Sequence, residues 1–478
     1  MIRKIMIQGA LMEYALFYSF GFYIATLAGI TSLFYRKNTS EQEFMLGNRS
    51  LNYLATAIAA HSSDMSIWLF MGFPGIVYIV GPKEGIWVIG GLIIGMYCSW
   101  TFMAAQLRTA TAQYKSITLS EYLEHRFDDK SGLIRLVAAF FALLFFVFYI
   151  SSGLVGMGRM FESVFNINYH VGITVSLAAA IAYTFFGGFV GIAWCDLFQG
   201  LFLLLMILIV PLFGYASLQN GTTDISTYAQ IKNISLSLIP ESFTNLFTSL
   251  LVACGWGLGY FGQPHILISF MGIKDTASVT KARTVGIVWQ TLTLGAALSI
   301  GLIGIAFFPA QLANPELVFV AMVQQLFTPF FAGFVLCAII AAGLTTVDTQ
   351  ILVAASIFAT DVYKQLINPK ASSQKILSIS RLGIIVIPLI SLAIASTNSN
   401  SVFGLVAFAW NGLGSTFGPV LLAALYSRHA KKHAVLTGMI VGGIIATLWP
   451  LTGSSIPAMI PAFFTNLTII LLGSRLIK

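Results

Sequence analysis

Three stretches of this sequence place reactive or ion-binding groups inside otherwise apolar runs. In the first, Asp64 sits among Ser62, Ser63 and Ser66, and Gly72, Pro74 and Gly75 follow within a few residues. In the second, Cys254–His265 reads CGWGLGYFGQPH, with four glycines, a proline, Trp256 and Tyr260 in twelve residues. In the third, Ala341–Gln350 reads AAGLTTVDTQ, joining the hydroxyls of Thr345 and Thr346 to the carboxylate of Asp348. Hydroxyls and loosened backbone carbonyls suit a hard cation that prefers oxygen ligands, as Na⁺ does. Ser62, Thr345 and Thr346 offer the hydroxyls, and the backbone near Met65 and Ala342 offers the carbonyls. A mid-membrane carboxylate also suits a proton, so H⁺ coupling stays open on chemistry alone. Asp196, with Thr346 and Thr349, could form a second cation site.

The aromatic residues are the candidate wall for a solute. Trp256 and Tyr260 are four apart and share a helix face, and Tyr149 sits in the middle of an apolar run. Aromatic rings pack on an aliphatic chain or ring while Trp and Tyr keep a polar handle. A small zwitterion with one apolar side, such as an amino acid, fits that mixture. No enzyme is expected: the six histidines show no metal spacing, and no nucleophile–base pair is evident. The four cysteines, Cys98, Cys195, Cys254 and Cys337, read as small buried side chains without a disulfide framework.

The elements that must carry these groups are set by composition. Of 478 residues, 57% are hydrophobic and only 9% charged, against roughly 25% charged in soluble domains. The bilayer must be the solvent for most of this chain, and the net charge of +8 reports membrane orientation; no nucleic-acid partner is expected. Thirteen apolar runs reach spanning length, from 11–35 through 50–80 and 243–271 to 456–474. Arg3, Lys4, Lys83, Arg159 and Lys232 fall on one side of the alternating loops, and all other basic residues on the other. That bias assigns the more basic side to the cytoplasm, with the N-terminus outside and the C-terminus inside. The first run follows Arg3 and Lys4 but lacks a clear cleavage pattern, and reads as a retained helix. At the cytoplasmic surface, Thr118 or Ser120 should cap a short helix running to Phe127.

An ionisable group costs about 2.5–3.5 kcal/mol at the bilayer centre on insertion scales, so it persists where a cavity, ion or partner receives it. Glycine and proline loosen the helix ladder where protein or water can satisfy the freed groups. The three stretches therefore predict discontinuous helices around a mid-membrane site. The first lies in the second span and the second in the seventh. An offset of five helices reverses the direction of entry, which predicts an inverted repeat: 1–49 as an extra N-terminal helix and loop, 50–217 as the first five-helix repeat, 218–242 as an extracytoplasmic loop, 243–396 as the second repeat, and 397–478 as C-terminal helices.

At these residues the chain resembles the sodium/solute symporter family, and within it the bacterial branch that carries proline. The resemblance runs from about Arg49 to the C-terminal helices. It rests on SSDMSIWLFMGFPG at 62–75, GWGLGYFGQPHIL at 255–267, LTTVDTQILV at 344–353 and FGLVAFAWNGLGSTFGP at 403–419. It implies an all-α polytopic protein of the bacterial cytoplasmic membrane, with about thirteen helices: a LeuT-like core of two inverted five-helix repeats, one extra helix before it and two after. It implies symport of Na⁺ with a small solute, L-proline first and another amino acid or pantothenate as alternatives, with no other cofactor. Four residues follow the last run, so a membrane sensor with a signalling domain is not expected.

By the same resemblance, the carbonyls of Ser62, Met65 and Ala342 and the hydroxyls of Thr345 and Thr346 hold sodium. Asp64 is the functional membrane aspartate, Asp196 belongs to a second sodium site, and Arg49 is linked to coupling from the cytoplasmic side. Tyr149, Trp256, Tyr260 and Pro264 bind the solute, with Ser66 and Ile67 at the edge of the pocket. This chain departs from the family pattern at four places. Ile67 stands where glycine is usual, which should narrow the pocket or stiffen the helix break. Thr345 stands where serine is usual and keeps the hydroxyl. Asp348 stands where a small polar residue is usual and could strengthen a cation site, with Thr349 beside it, or favour proton coupling. Asn411 stands where a small residue is usual.

Overall fold

The computed structural model describes residues 15–30, 40–220, 224–397 and 401–476. Regular structure among them is helical apart from one isolated bridge between Leu51 and Ile273. The helices that build the body are α1 (Ala15–Ile30), α2 (Tyr53–Met65), α3 (Gly72–Val80), α4 (Pro82–Gln113), α5 (Leu119–Arg126), α6 (Leu133–Phe165), α7 (Tyr169–Gln219), α8 (Phe243–Gly259) and α9 (Pro264–Gly272). They continue as α10 (Thr276–Phe307), α11 (Pro315–Leu326), α12 (Pro329–Ile367), α13 (Ser373–Ala395), α14 (Val402–Tyr426), α15 (Lys432–Thr452) and α16 (Met459–Leu476). By length and composition, nine of the described helices can cross a bilayer, and α2 with Ile67–Val80 forms a tenth, bent by 67°.

α7 is too long for one crossing. Its 51 residues span about 77 Å at 1.5 Å per residue, against a hydrocarbon core of about 30 Å. The helix is interrupted by a kink at Gly188, whose φ of 57° is open to glycine at no steric cost. The first expected span, 11–35, is represented by α1; its two ends lie outside the described residues, as do Arg3, Lys4, Arg36, Lys37 and Lys478.

The two helices expected to break do break. α2 stops at Met65, and Ser66 turns the chain with φ 48° and ψ −172°. A short 3₁₀ turn over Ile67–Leu69 leads into α3. In the second, α8 stops at Gly259, the chain passes Tyr260–Gln263, and α9 begins with Pro264 at its first turn, where the missing N–H costs nothing. The start of α2 lies against the end of α9, because Leu51 N donates to Gly272 O at 3.2 Å and Lys274 N donates to Leu51 O at 2.8 Å. The two broken helices thus run in opposite directions, side by side.

The third expected break is absent. Pro329–Ile357 is a continuous α-helix through Ala341–Gln350, and that stretch is buried in protein. No proline lies within that stretch, and Thr346 Oγ1 returns its bond to Ala342 O at 3.0 Å, a mode that leaves the ladder whole. The cysteine reading also needs correction. Cys195 and Cys337 are buried, Cys98 is half-buried and Cys254 is exposed on the outer surface of α8. The surface helix is capped by Thr118, whose Oγ1 accepts from Glu121 N at 3.1 Å.

Candidate functional site

The break in α2 creates the first set of ligating groups. The last carbonyls of a helix have no intrahelical donors, and here those of the final turn, Ser62 to Met65, end in the buried centre of the molecule. α12 passes alongside. Thr345 Oγ1 lies 3.2 Å from Ser62 O and 3.2 Å from Ala342 O, and Thr346 Oγ1 lies 3.0 Å from Ala342 O. Four oxygens from two helices therefore converge: two carbonyls and two hydroxyls, neutral and hard. This donor set fits an alkali cation. Met65 ends the same turn and faces the small cavity described next. Close approach of α2 to α7 is possible because Gly200 stands opposite Ile58 and Ser62, where a Cβ would collide with the Ile58 side chain.

One residue before Met65, Asp64 is satisfied from the other broken helix. Tyr260 Oη donates to Asp64 Oδ2 at 2.5 Å, and Gln290 Nε2 on α10 donates to Tyr260 Oη at 2.9 Å. Asp64, Met65, Trp68, Tyr149, Trp256 and Trp410 enclose a void of about 10 Å³, room for about one water. These side chains must part before an amino acid can occupy the space between them. Trp68 and Trp256 are 5.4 Å apart, and Trp410 meets Tyr260 edge-on at 4.9 Å. Trp410 is fixed from behind: its Nε1 donates to Trp256 O at 3.1 Å, and Gln263 Nε2 donates to Trp410 O at 3.1 Å.

Not every expected pocket residue faces this void. Ile67 turns away into a recess formed by Gly156 on α6 and Gly343 on α12. Of the two effects expected of it, the geometry favours the stiffer break over the narrower pocket. Ser66 is the turning residue itself, and its Oγ accepts from Trp68 N at 3.1 Å. Pro264 lines a separate void of about 20 Å³ with Ser120, Ile268, Met271 and Val353, toward the basic end of the molecule. Asn411 lines a vestibule of about 280 Å³ at the opposite end, with Phe73, Glu84, Trp256 and Phe403. Trp256 and Trp410 line both the vestibule and the enclosed central void, so the vestibule reaches the aromatic wall from that end.

Asp196 on α7 and Asp348 on α12 form a second polar cluster. Both are fully buried. Thr349 joins them: its N–H donates to Asp348 Oδ1 at 2.6 Å, and its Oγ1 lies 3.4 Å from Asp348 Oδ1 and 3.4 Å from Asp196 Oδ2. The remaining oxygens, Asp196 Oδ1 and Asp348 Oδ2, have no protein donor.

At the basic end, polar ties hold the inner path closed. Asp361 Oδ1 accepts from Arg135 Nε at 2.7 Å and from Thr118 Oγ1 at 2.9 Å, and Arg135 Nη1 reaches Glu124 Oε2 at 3.0 Å. Arg49 lies in this layer, apart from the ion-type clusters. Its guanidinium donates to Thr111 O at 3.0 Å, Ser116 O at 2.8 Å and Met271 O at 2.8 Å, pinning the end of α9 to the end of α4. Burial, with Arg108 nearby adding to it, lowers this guanidinium to about 10, which leaves it charged at neutral pH. Gln290, Trp68 and Trp410 are site residues that sequence reasoning missed. Gln290 is a lone amide in an apolar run, and the two tryptophans lie inside the quoted motifs without a spacing that marks them.

Two antiparallel broken helices, an oxygen cluster at one break and a closable aromatic cavity define, as a class, a helical membrane transporter of small solutes. The chain belongs to the sodium/solute symporter family, whose model, Sodium:solute symporter family, matches residues 44–442. It is 37% identical to the High-affinity proline transporter PutP of Bacillus subtilis over 91% of this chain and 92% of that one. It is 36% identical to the Sodium/proline symporter of Escherichia coli, over 90% and 87% respectively. Among solved structures, a Na⁺-coupled sialic acid symporter in a substrate-bound outward-open state shares the fold with a TM-score of 0.81 at 18% identity, covering 98% of each chain.

Proposed function

We propose that this protein imports L-proline together with sodium by alternating access. The observation that carries the reading is the convergence of Ser62 O, Ala342 O, Thr345 Oγ1 and Thr346 Oγ1 at the break of α2. It lies within one helical turn of the carboxylate that Tyr260 ties to the second break. The relatives that cover most of the chain are named as proline carriers, and this supports the choice of solute.

In this reading sodium binds at those four oxygens and the carbonyl of Met65. It holds the end of α2 against α12 and so fixes the conformation of the break. Proline then packs its ring on Tyr149 and Trp256, near Asp64, Ser66 and Tyr260. Asp196, Asp348 and Thr349 form a second cation site, and Arg49 transmits movement of α9 to α4. The inward-negative potential contributes ~2.3 kcal/mol per charge per 100 mV.

The architecture proposed is two inverted five-helix repeats: the first is 50–217, and the second, expected at 243–396, holds four crossings within those bounds and takes α14 as its fifth. α7 counts as two crossings and α8 with α9 as one. With α1 before and α14 to α16 after α13, the crossings number thirteen. The pairing of Leu51 with Gly272 and Lys274 supports the inversion. The protein sits in the bacterial inner membrane with its N-terminus outside and its C-terminus inside. The meeting of Arg49, Arg108, Arg126 and Arg135 at one end of the molecule supports that orientation.

Equilibrium binding of labelled proline to the purified protein in Na⁺ or K⁺ tests the reading. Binding in Na⁺ that is lost in K⁺ supports it. Binding of equal strength in both refutes sodium coupling, and absence of binding in both refutes proline.

A further inference from the structure

The second broken helix carries polar groups that the account above does not use. α9 begins at Pro264, which lines the void toward the basic end. No side chain caps its N-terminus. His265, in its first turn, is fully buried, yet neither Nδ1 nor Nε2 has a partner. Its ring is held edge-on by Tyr149 at 5.3 Å and Phe146 at 5.9 Å. Tyr149 lines the central cavity on its other side. Gln263, immediately before the helix, is also fully buried, and its Oε1 lacks a donor.

Buried polar groups are almost always paired in native structures. Three orphaned atoms within three residues, at the positive end of a helix dipole, describe a place that accepts a polar ligand in another stage of the cycle. A helix N-terminus and an imidazole N–H both favour a carboxylate. A free amide oxygen favours an ammonium. The set complements a zwitterion.

We propose that the N-terminus of α9, with His265 as carboxylate donor and Gln263 as ammonium acceptor, is an inner subsite for the solute. A small amino or imino acid occupies it after leaving the central cavity and before release at the basic end. The proposal rests on the reading of this protein as an amino-acid symporter. It adds a station on the release path, behind Tyr149, distinct from the oxygen cluster and from the void between the tryptophans.

An inner subsite makes the two faces unequal in their dependence on His265. Half-saturation constants for labelled proline are measured in right-side-out and inside-out membrane vesicles carrying wild type, His265→Phe and His265→Gln. Phe keeps the ring packing and removes the donor; Gln keeps a donor. The expected result for His265→Phe is a rise of about tenfold at the cytoplasmic face with the external constant unchanged, and a return toward wild type in His265→Gln. Equal shifts at both faces mean that the residue only supports packing and overturn the proposal. No shift at either face in a transporting His265→Phe also overturns it. Should wild type carry no proline in either orientation, the symporter reading itself fails; should it carry proline with sodium while His265→Phe is indifferent, only the inner subsite fails.

Discussion

The hydroxyl of Tyr260 stands 2.5 Å from Oδ2 of Asp64, and this one bond joins the two points at which the membrane helices are interrupted. Asp64 lies one residue before the end of α2, and Tyr260 directly follows α8. Movement of either half-helix must carry the other or break the bond. A hydrogen bond to a charged group contributes about 1.5–3 kcal/mol net. Tyr260→Phe should therefore weaken sodium-dependent proline binding by roughly ten- to a hundredfold. Adding Asp64→Asn should cost much less than the sum of the two single losses, because residues in one bonded pair are not additive. Titration of proline binding in the two single variants and the double variant checks this; simple additivity would show that the bond carries no coupling.

Thr345 touches both helices of the oxygen cluster, at 3.2 Å from Ser62 O and from Ala342 O. Thr345→Ala should raise the sodium concentration for half-maximal uptake by about tenfold, the effect of losing one hydrogen-bonding or ligating group. The half-saturation constant for proline at saturating sodium should move little. Thr345→Ser should restore the sodium response. A change confined to proline would place Thr345 at the solute.

Ile67 fills the space left by Gly156 and Gly343. A Cβ on residue 343 would stand 2.9 Å from Ile67 Cδ1 and 3.0 Å from Met157 Sδ. Gly343→Ala should lower uptake about tenfold, since overpacking costs ~1–3 kcal/mol. Ile67→Val, which removes Cδ1, should recover much of the loss in the double variant. Ile67→Gly alone should leave the order of preferred solutes unchanged in a competition assay. A shifted order would return Ile67 to the pocket wall.

Asp361 holds together α5, α6 and α12 at the closed end through Thr118 and Arg135. Removing one partner of a buried ion pair costs about 3–5 kcal/mol. Asp361→Asn should therefore shift the population toward a conformation open at the basic end by a hundredfold or more, on the scale of ~1.4 kcal/mol per tenfold. The readout is thiol modification of Ile268→Cys, with the four native cysteines replaced by serine. Faster modification in Asp361→Asn is expected, and unchanged modification would show that the network does not gate the path.

How far the sequence reached differs from one feature to the next. The break at Ser66 was legible because Asp64 has no place in a lipid-facing helix and Gly72 and Pro74 follow it. The break after Gly259 was legible from the crowding of glycines before Pro264. The same reasoning failed at Ala341–Gln350, where threonines look like loosened backbone yet bond back onto their own helix. The partner of Asp64 was not legible, because spacing along one helix says nothing of which side chain on another will reach it. Gln290 was hidden for the same reason. Ile67 was marked as a departure, but only packing against Gly156 and Gly343 revealed which way it points.

The central claim is that a sodium gradient drives proline inward, and initial-rate uptake of labelled proline into proteoliposomes tests it most directly. Liposomes loaded with K⁺ and diluted into Na⁺ should accumulate proline above the external concentration. Collapse of the sodium gradient at the same total salt should reduce uptake to equilibration. Accumulation that persists without the gradient, or that follows a pH gradient and ignores sodium, would contradict the account.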